Sequence, residues 1–219
     1  MKKPELIKYN LLQNALESLT HAIDHLSDCT NGDFKSNLKR VILDITQVAE
    51  LLIKEALNRI NPAFIWRNVD KYPSLEAQTV STIEGLDRYS KIASIRFSND
   101  DISAVRSCVR VRNAIQHSSF EISEAAAKII IGRMLSFIFS FSKTHLEYDL
   151  KNEYTMDDRW ISLLEFYSFN QEYSKRIKTE LEQRGAIVEQ CSNCEGMSFD
   201  IISEVCELCG HVEIRDEYT

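Results

Sequence analysis

Glycine and proline are scarce in this chain, with 6 Gly and 3 Pro in 219 residues. So few backbone punctuators exclude a loop-rich or many-stranded all-β architecture and favour long regular elements joined by short turns. Long apolar runs are missing as well. The most apolar stretch, Ala125 to Phe141, is broken by Lys128 and Arg133, which predicts a buried helix and not a membrane span. Met1 to Thr20 holds no sustained apolar core, so no targeting segment is expected. Internal repeats and low-complexity tracts are also absent. Six cysteines are enough for disulfides, but four sit in Cys-x-x-Cys pairs, leaving only Cys29 and Cys108 isolated. That usage fits a reducing cytoplasm better than a secreted scaffold.

The net charge of −7 hides an asymmetry. Residues 1–148 carry 19 Lys/Arg against 17 Asp/Glu, whereas residues 149–219 carry 7 against 16. Phosphate neutralisation supplies most non-specific nucleic-acid affinity, so an acidic tail is a poor RNA surface and the front of the chain is the better one.

Apolar periodicity predicts an antiparallel helical bundle followed by a small β module. Pro4 suits the first turn of a helix on which Leu12, Leu16, Leu19, Ile23 and Leu26 recur, and Asp28 to Asp33 with Asn31-Gly32 reads as a turn. A second helix runs from about Ser36 to Ile60, burying Leu38, Val41, Ile45, Val48, Leu52 and Ala56, and Asn61-Pro62 ends it. Residues 63–78 read as an ordered aromatic loop. Ser81-x-x-Glu84 is a capping box for a short helix to about Ile92. Ser98 to Asp101 offer N-caps for a helix to His117, and Ser123 caps a long apolar helix to about Tyr148. One further amphipathic helix is expected from about Asp157 to Arg184, stopped by Gly185. The predicted units are a helical domain (1–150), a linking helix (151–185) and a cysteine module of short strands (186–219).

The helix ending at His117 carries the chemistry. On a helical wheel Arg106, Arg110, Asn113 and His117 form one stripe. Arg112 falls between two apolar arcs, Ile102, Val105 and Val109 on one side and Ala104, Val111 and Ile115 on the other, and should be partly covered. Covered charges need partners, a dimer cleft or an anionic ligand. Arg112 and His117 are about 140° apart on an ideal helix, so they share a site only if the helix ends near His117 or a second copy completes it.

RNA carries its own nucleophile, the 2′-hydroxyl beside the scissile phosphate. His117 suits proton transfer, Arg112 suits a phosphate oxygen, and Asn113 can orient either. The products of such a reaction are a 2′,3′-cyclic phosphate and a 5′-hydroxyl, with no metal required. The plainer alternative is that Glu50 or Asp44 on the neighbouring helix neutralises the arginines with no chemistry at all.

The stretch Val109-Arg110-Val111-Arg112-Asn113-Ala114-Ile115-Gln116-His117 resembles the Arg-polar-x-x-x-His signature of the HEPN superfamily of helical ribonucleases. Val48 to Glu55 is similar to the acidic-apolar-lysine segment of such domains, and the resemblance covers about residues 5–150. It implies catalytic Arg112 and His117 with Asn113 in support, and Glu50 and Lys54 as further site members. It also implies a homodimer with a composite cleft, an endoribonuclease acting on RNA in a toxin or antiviral defence setting, and an antitoxin or defence partner protein. Some members only dimerise and bind RNA or protein. The tyrosine that some antitoxin-silenced members carry two residues after the motif histidine is Ser119 here, which argues against control at that position.

Cys191-x-x-Cys194 and Cys206-x-x-Cys209 are the second signal. Two such knuckles can present four thiolates tetrahedrally to structural zinc, with Gly210 supplying a tight turn and no coordination position left for catalysis. A tail of this size cannot bury a core alone, so metal binding is expected to supply its folding energy. The ribbon sits in an acidic segment whose only arginine beyond Arg184 is Arg215, so it is expected to face protein. Transcription regulation by the ribbon is the weakest alternative. Phe199, Ile201 and Ile202 suit its small core or a binding patch. His21 and His25 share a helix face at a spacing that admits a metal, but with no acidic or cysteine neighbour in phase, solvated or core histidines are expected. Trp160, Phe166, Tyr167 and Phe169 are expected to pack against the bundle or a second subunit rather than to stack on bases.

Overall fold

The computed structural model describes residues 8–28, 34–155 and 157–213. Pro4, Cys29, the Asn31-Gly32 turn and Arg215 lie outside the described residues. Among these residues the architecture is mostly α-helical, with a three-stranded antiparallel sheet at the C-terminal end.

Helix α1 spans Leu11–Asp28 and α2 spans Phe34–Ile60. The α1 start differs from the expectation at Pro4: residues 8–10 are not helical and Asn10 is the cap. Its side-chain oxygen accepts from the Gln13 N–H at 2.7 Å, and the Gln13 side chain accepts from the Asn10 N–H at 3.1 Å, a reciprocal box in amide form. Helix α2 is the spine. It contacts α1, α3, α4 and α5, and buries Ile42, Ala49, Ile53 and Leu57 in addition to the expected face, as a helix apolar on several sides must.

The 61–81 connection is ordered as anticipated. Asn61 caps a 3-10 turn at Pro62–Ile65, and Arg88 donates to the carbonyls of Phe64, Trp66 and Arg67 at 2.7, 2.5 and 3.0 Å. Helix α3, Thr82–Ile92, has the expected capping box. The Ser81 backbone N–H, then the Arg67 guanidinium, hold the Glu84 carboxyl down to about 2.

Helices α4 (Asn99–His117) and α5 (Glu124–Leu146) are capped by Ser98 and Ser123. By length and composition α5 is apolar enough to cross a bilayer, yet Ile131, Leu135, Ile138 and Phe139 are enclosed among α2, α4 and α8. After α6 (Leu150–Tyr154) the predicted single helix is two: α7, Asp158–Glu165, and α8, Tyr167–Gln183. The break sits at Phe166 (φ −74°, ψ 89°), whose ring is buried, and the Asn170 amide donates to the Leu164 carbonyl at 3.1 Å. The two pieces can then follow different neighbours. Helix α7 lies on α1, where Arg159 pairs with Asp24 at 2.6 Å, and α8 lies on α5.

The α5–α8 crossing is tight at Gly132, where a Cβ would stand 2.5 Å from the Ser168 backbone. Trp160, Phe169 and Tyr173 pack with Phe139 of α5, with the Phe169 and Tyr173 rings stacked 5.2 Å apart. Packing is therefore the observed role of Trp160, Phe166 and Phe169, while Tyr167 is exposed. Gly185 ends α8 in the left-handed region at φ +82°, as expected.

Strands β1 (Val188–Gln190), β2 (Met197–Asp200) and β3 (Val205–Cys206) form the sheet in that order, with Glu189 opposite Phe199 and Phe199 opposite Cys206. The sheet leans on α8. A Cβ at Gly196 would meet the Leu208 and Asn170 side chains at 2.8 and 3.0 Å, so any larger residue there would have to displace them. Phe199 and Leu208 are buried in continuity with the helical core, so the tail borrows apolar cover from the bundle. Ile201 is half-buried and Ile202 exposed.

Candidate functional site

The first half of α4 is anchored and the second half is open. Ala104, Val105 and Cys108 are buried, and Arg176 of α8 grips Asp101 in the first turn at 2.6 Å. Cys108 lies against Thr46 at 3.3 Å, and burial pushes its thiol up to about 12, so it is an inert core group. Beyond Cys108 no residue of α4 is fully buried. Val109, Val111 and Ile115 are half-covered, not the closed apolar arcs expected on both sides.

The stripe predicted from the helical wheel is present as a surface: Arg106, Arg110, Asn113 and His117 are all exposed. The helix ends at His117, and Ser118 adopts extended backbone at φ −152° with its N–H on the Ala114 carbonyl. Arg112 is half-buried, as expected, and its guanidinium donates to Asn113 Oδ1 at 3.0 Å. It lines a cleft of about 480 Å³ between α2 and α4, together with Asp44, Gln47, Glu50 and Gln116. Arg112 and Glu50 are thus brought to one cleft, whereas His117 is not part of its lining.

The carboxylates offered as neutralising partners are engaged elsewhere. Glu50 accepts from Lys54 at 2.6 Å and from the Thr82 hydroxyl at 3.3 Å, and Lys54, buried under this pair, also donates to Thr79 at 2.9 Å. Asp44 is held by His21 at 2.7 Å. Among the described residues no ion pair forms with Arg106, Arg110 or Arg112. Among the described residues the three guanidiniums therefore have no direct ion-pair partner: Arg106 and Arg110 are exposed and able to meet an anion, while Arg112 shares its cleft with the Asp44 and Glu50 carboxylates.

Near the C-terminal end of the chain the four cysteines converge. The ligand sulfurs of Cys191, Cys194, Cys206 and Cys209 all lie within 4.8 Å of one another. Cys191 to Cys209 and Cys194 to Cys206 are each 3.7 Å apart. Disulfide sulfurs stand about 2.05 Å apart. Four sulfurs held tetrahedrally about 2.3 Å from one metal ion stand about 3.8 Å apart, which is the spacing seen.

The two knuckles repeat each other. The Asn193 and Cys209 N–H groups point at the sulfurs of Cys191 and Cys206, both at 3.4 Å. Glu195 N–H bonds the Cys191 carbonyl and Gly210 N–H the Cys206 carbonyl, at 3.0 and 2.8 Å. Each knuckle closes on a left-handed residue, Glu195 at φ 58° and Gly210 at φ 76°. The sulfur contacts of Cys194 and Cys209 with Cys206 push the Cys206 thiol down and the Cys194 and Cys209 thiols up, so the shifts within the cluster oppose one another. Four convergent soft sulfur donors are what fits this corner to a structural metal ion.

The His21–Asp44 pair escaped the sequence pattern because it joins two helices. The expectation of no acidic neighbour in phase is corrected: Asp44 of α2 meets His21 at 2.7 Å, and Asp28, three residues on along α1, stands 4.0 Å from His25. Compared with family models, with curated proteins and with solved structures, the chain matches none.

Proposed function

We propose that this protein is a homodimeric, HEPN-like endoribonuclease that cleaves RNA without a catalytic metal and carries a structural zinc ribbon. The observation that carries this reading is the unpaired cation set of α4: Arg106, Arg110 and Arg112 lack carboxylate partners among the described residues, while Asp44 and Glu50 are bonded to His21 and Lys54. An RNA backbone supplies the missing anions. Arg106 and Arg110 track phosphates along the exposed stripe, and Arg112, oriented by Asn113, holds the scissile phosphate's oxygen as charge develops.

Cleavage forms a bond from the 2′-oxygen to phosphorus and breaks the bond from phosphorus to the 5′-oxygen. A proton leaves the 2′-hydroxyl and another reaches the departing 5′-oxygen. His117, exposed at the open end of α4, is the group assigned to proton transfer. Glu50 and Lys54 act behind it, bracing the wall of the cleft through Thr79 and Thr82.

A second copy completes the site. The C-terminal half of α4 leaves Val109, Val111 and Ile115 half-covered, and Phe120 and Ile129 are exposed nearby in sequence. Two such helices meeting about a two-fold axis would cover these side chains and bring His117 of one protomer to Arg112 of the other. The placing of Arg112 and His117 on different faces of one chain favours that composite arrangement. It equally favours a module that binds RNA or protein without cutting, the second reading. A cytoplasmic setting in toxin or antiviral defence, with an antitoxin or defence partner protein, goes with the family resemblance.

The test is a time course of wild-type and His117→Ala protein on end-labelled RNA with EDTA present. Cyclic-phosphate ends from wild type alone support the nuclease. Equal RNA binding with no cleavage by either protein supports the binding module.

A further inference from the structure

We infer that His21 and His25 of α1 form a second, solvent-accessible transition-metal site, distinct from the cysteine corner and braced by Asp44 and Asp28. The two imidazoles face each other through Nε2, 3.1 Å apart, with the rings edge-on. Each Nδ1 looks the other way, toward a carboxylate. His21 Nδ1 is 2.7 Å from Asp44 Oδ2, and His25 Nδ1 is 4.0 Å from Asp28 Oδ2.

Proton accounting shows why a cation belongs between the rings. His21 must carry its proton on Nδ1 to donate to Asp44, which leaves its Nε2 a bare lone pair. If His25 gives its Nε2 proton to that lone pair, its own Nδ1 becomes a bare acceptor facing the Asp28 carboxylate. That atom is buried and has no hydrogen-bond partner. If His25 instead protonates Nδ1 toward Asp28, two Nε2 lone pairs oppose each other at 3.1 Å. Either tautomer leaves one group unsatisfied. A positive centre between the two Nε2 atoms satisfies both lone pairs and the His21–Asp44 bond, and leaves the His25 Nδ1 proton directed at the Asp28 carboxylate 4.0 Å away.

A transition-metal ion fits that position. Imidazole nitrogens bind zinc at about 2.0–2.1 Å, so two of them 3.1 Å apart subtend about 100° at the ion, between octahedral and tetrahedral angles. A small turn of each ring about χ2 exchanges the mutual hydrogen bond for two convergent lone pairs. A metal-bound histidine nearly always gives its other N–H to a carboxylate, which is how His21 meets Asp44. The His21 side chain is 59% exposed, so water fills the remaining coordination positions and an ion can enter. The His25 side chain is only 12% exposed, which fixes one ligand by packing. Imidazole donors with open positions suit zinc, nickel or copper rather than magnesium or calcium.

The site does not depend on the RNA reading, since its occupancy is measured without RNA. The full, tag-free chain, with its cysteines saturated with zinc and free zinc removed, is titrated with Ni2+ at pH 7.5 by calorimetry. One further equivalent is expected for wild type. His21→Ala and His25→Ala should each remove it, and Asp44→Asn should weaken it by about 10–100-fold. Thermal unfolding without Ni2+ checks each variant's fold, and His21→Gln, at the exposed position, serves if His25→Ala is unstable. Absence of a further equivalent in wild type overturns the proposal and leaves a shared proton between the rings. Equal uptake by wild type and the folded histidine variants also overturns it, placing the ion elsewhere.

Discussion

Four thiols near the C-terminus gather within 4.8 Å of one another, whereas the cations of α4 are spread along one helix, Arg106 and Arg110 exposed and Arg112 half-buried in a cleft. Both groups sit at spacings that suit their chemistry. The difference lies in what completes them. The knuckles close within one chain, because each Cys-x-x-Cys turn orients its own sulfurs through backbone N–H groups and the sheet sets one knuckle against the other. The α4 stripe is a row on a rigid rod. Nothing on the rod itself curls Arg112 and His117 toward one point, which is why the proposed function calls on a second copy. The cysteine corner is arranged by turns and a small sheet, whereas the α4 side chains stay spread along their helix.

The sharpest way to break this contrast is to remove a sulfur. Cys206→Ser should abolish the ribbon's bound metal, read as loss of one equivalent of zinc by elemental analysis, and expose the β1–β3 amides to hydrogen exchange. Structural zinc contributes on the order of 10 kcal/mol to small metal modules, so retention of protected strands would mean that docking on α8 suffices. His117→Ala is next in size. It should lower RNA cleavage by about 10²–10⁴-fold with little change in RNA affinity, measured by single-turnover kinetics and filter binding. A matched loss of affinity would make His117 a binding group instead.

Gly132→Ala should cost about 1–3 kcal/mol, because the added methyl meets Ser168 backbone at 2.5 Å. That predicts a fall of several degrees in Tm for a domain of this size, and would test whether α8, which carries the ribbon, is firmly seated on α5. Arg106→Ala and Arg110→Ala should each reduce the slope of log affinity against log salt by about one, with only modest loss of affinity at low salt. An unchanged slope would remove those two residues from the RNA surface. The smallest effect is a gain. Glu195→Gly relieves a left-handed non-glycine residue in the first knuckle and should raise stability by up to about 1 kcal/mol, bringing that knuckle into line with Gly210. A loss instead would show that the Glu195 side chain has a role of its own.

Helix placement followed the apolar spacing closely where helices were long and self-consistent. Thr82–Ile92 and the end of α4 at His117 matched residue for residue, since capping boxes and Pro or Ser boundaries are local signals. Two placements failed, one for a non-local reason and one for a weak local signal. Continuous amphipathic spacing conceals the break at Phe166, which exists because α7 and α8 are drawn to different helices and Asn170 satisfies the carbonyl set free. The α1 start at Asn10 depends on an amide capping box, a weaker pattern than Ser with Glu. Within the candidate site, the covering of Arg112 was foreseen. The diversion of Asp44 to His21 was not, because it needs α1 packed on α2, while the Glu50–Lys54 pair is an i,i+4 contact within α2 that helical spacing itself sets.

Spacing along the chain was enough for the helix-rich class, the four-cysteine corner and the one-sided stripe on α4. The helices, the stripe and each Cys-x-x-Cys turn are properties of residues within a turn or two of one another, and the paired spacing of the two knuckles is what announces the corner that the sheet then closes. Which carboxylate meets a cation on another helix was decided only when the helices packed. Asp44 could face His21 or Arg112, and helix packing, acting over the whole buried core, chose His21. That choice left the arginines of α4 unpaired and placed the two α1 imidazoles between carboxylates.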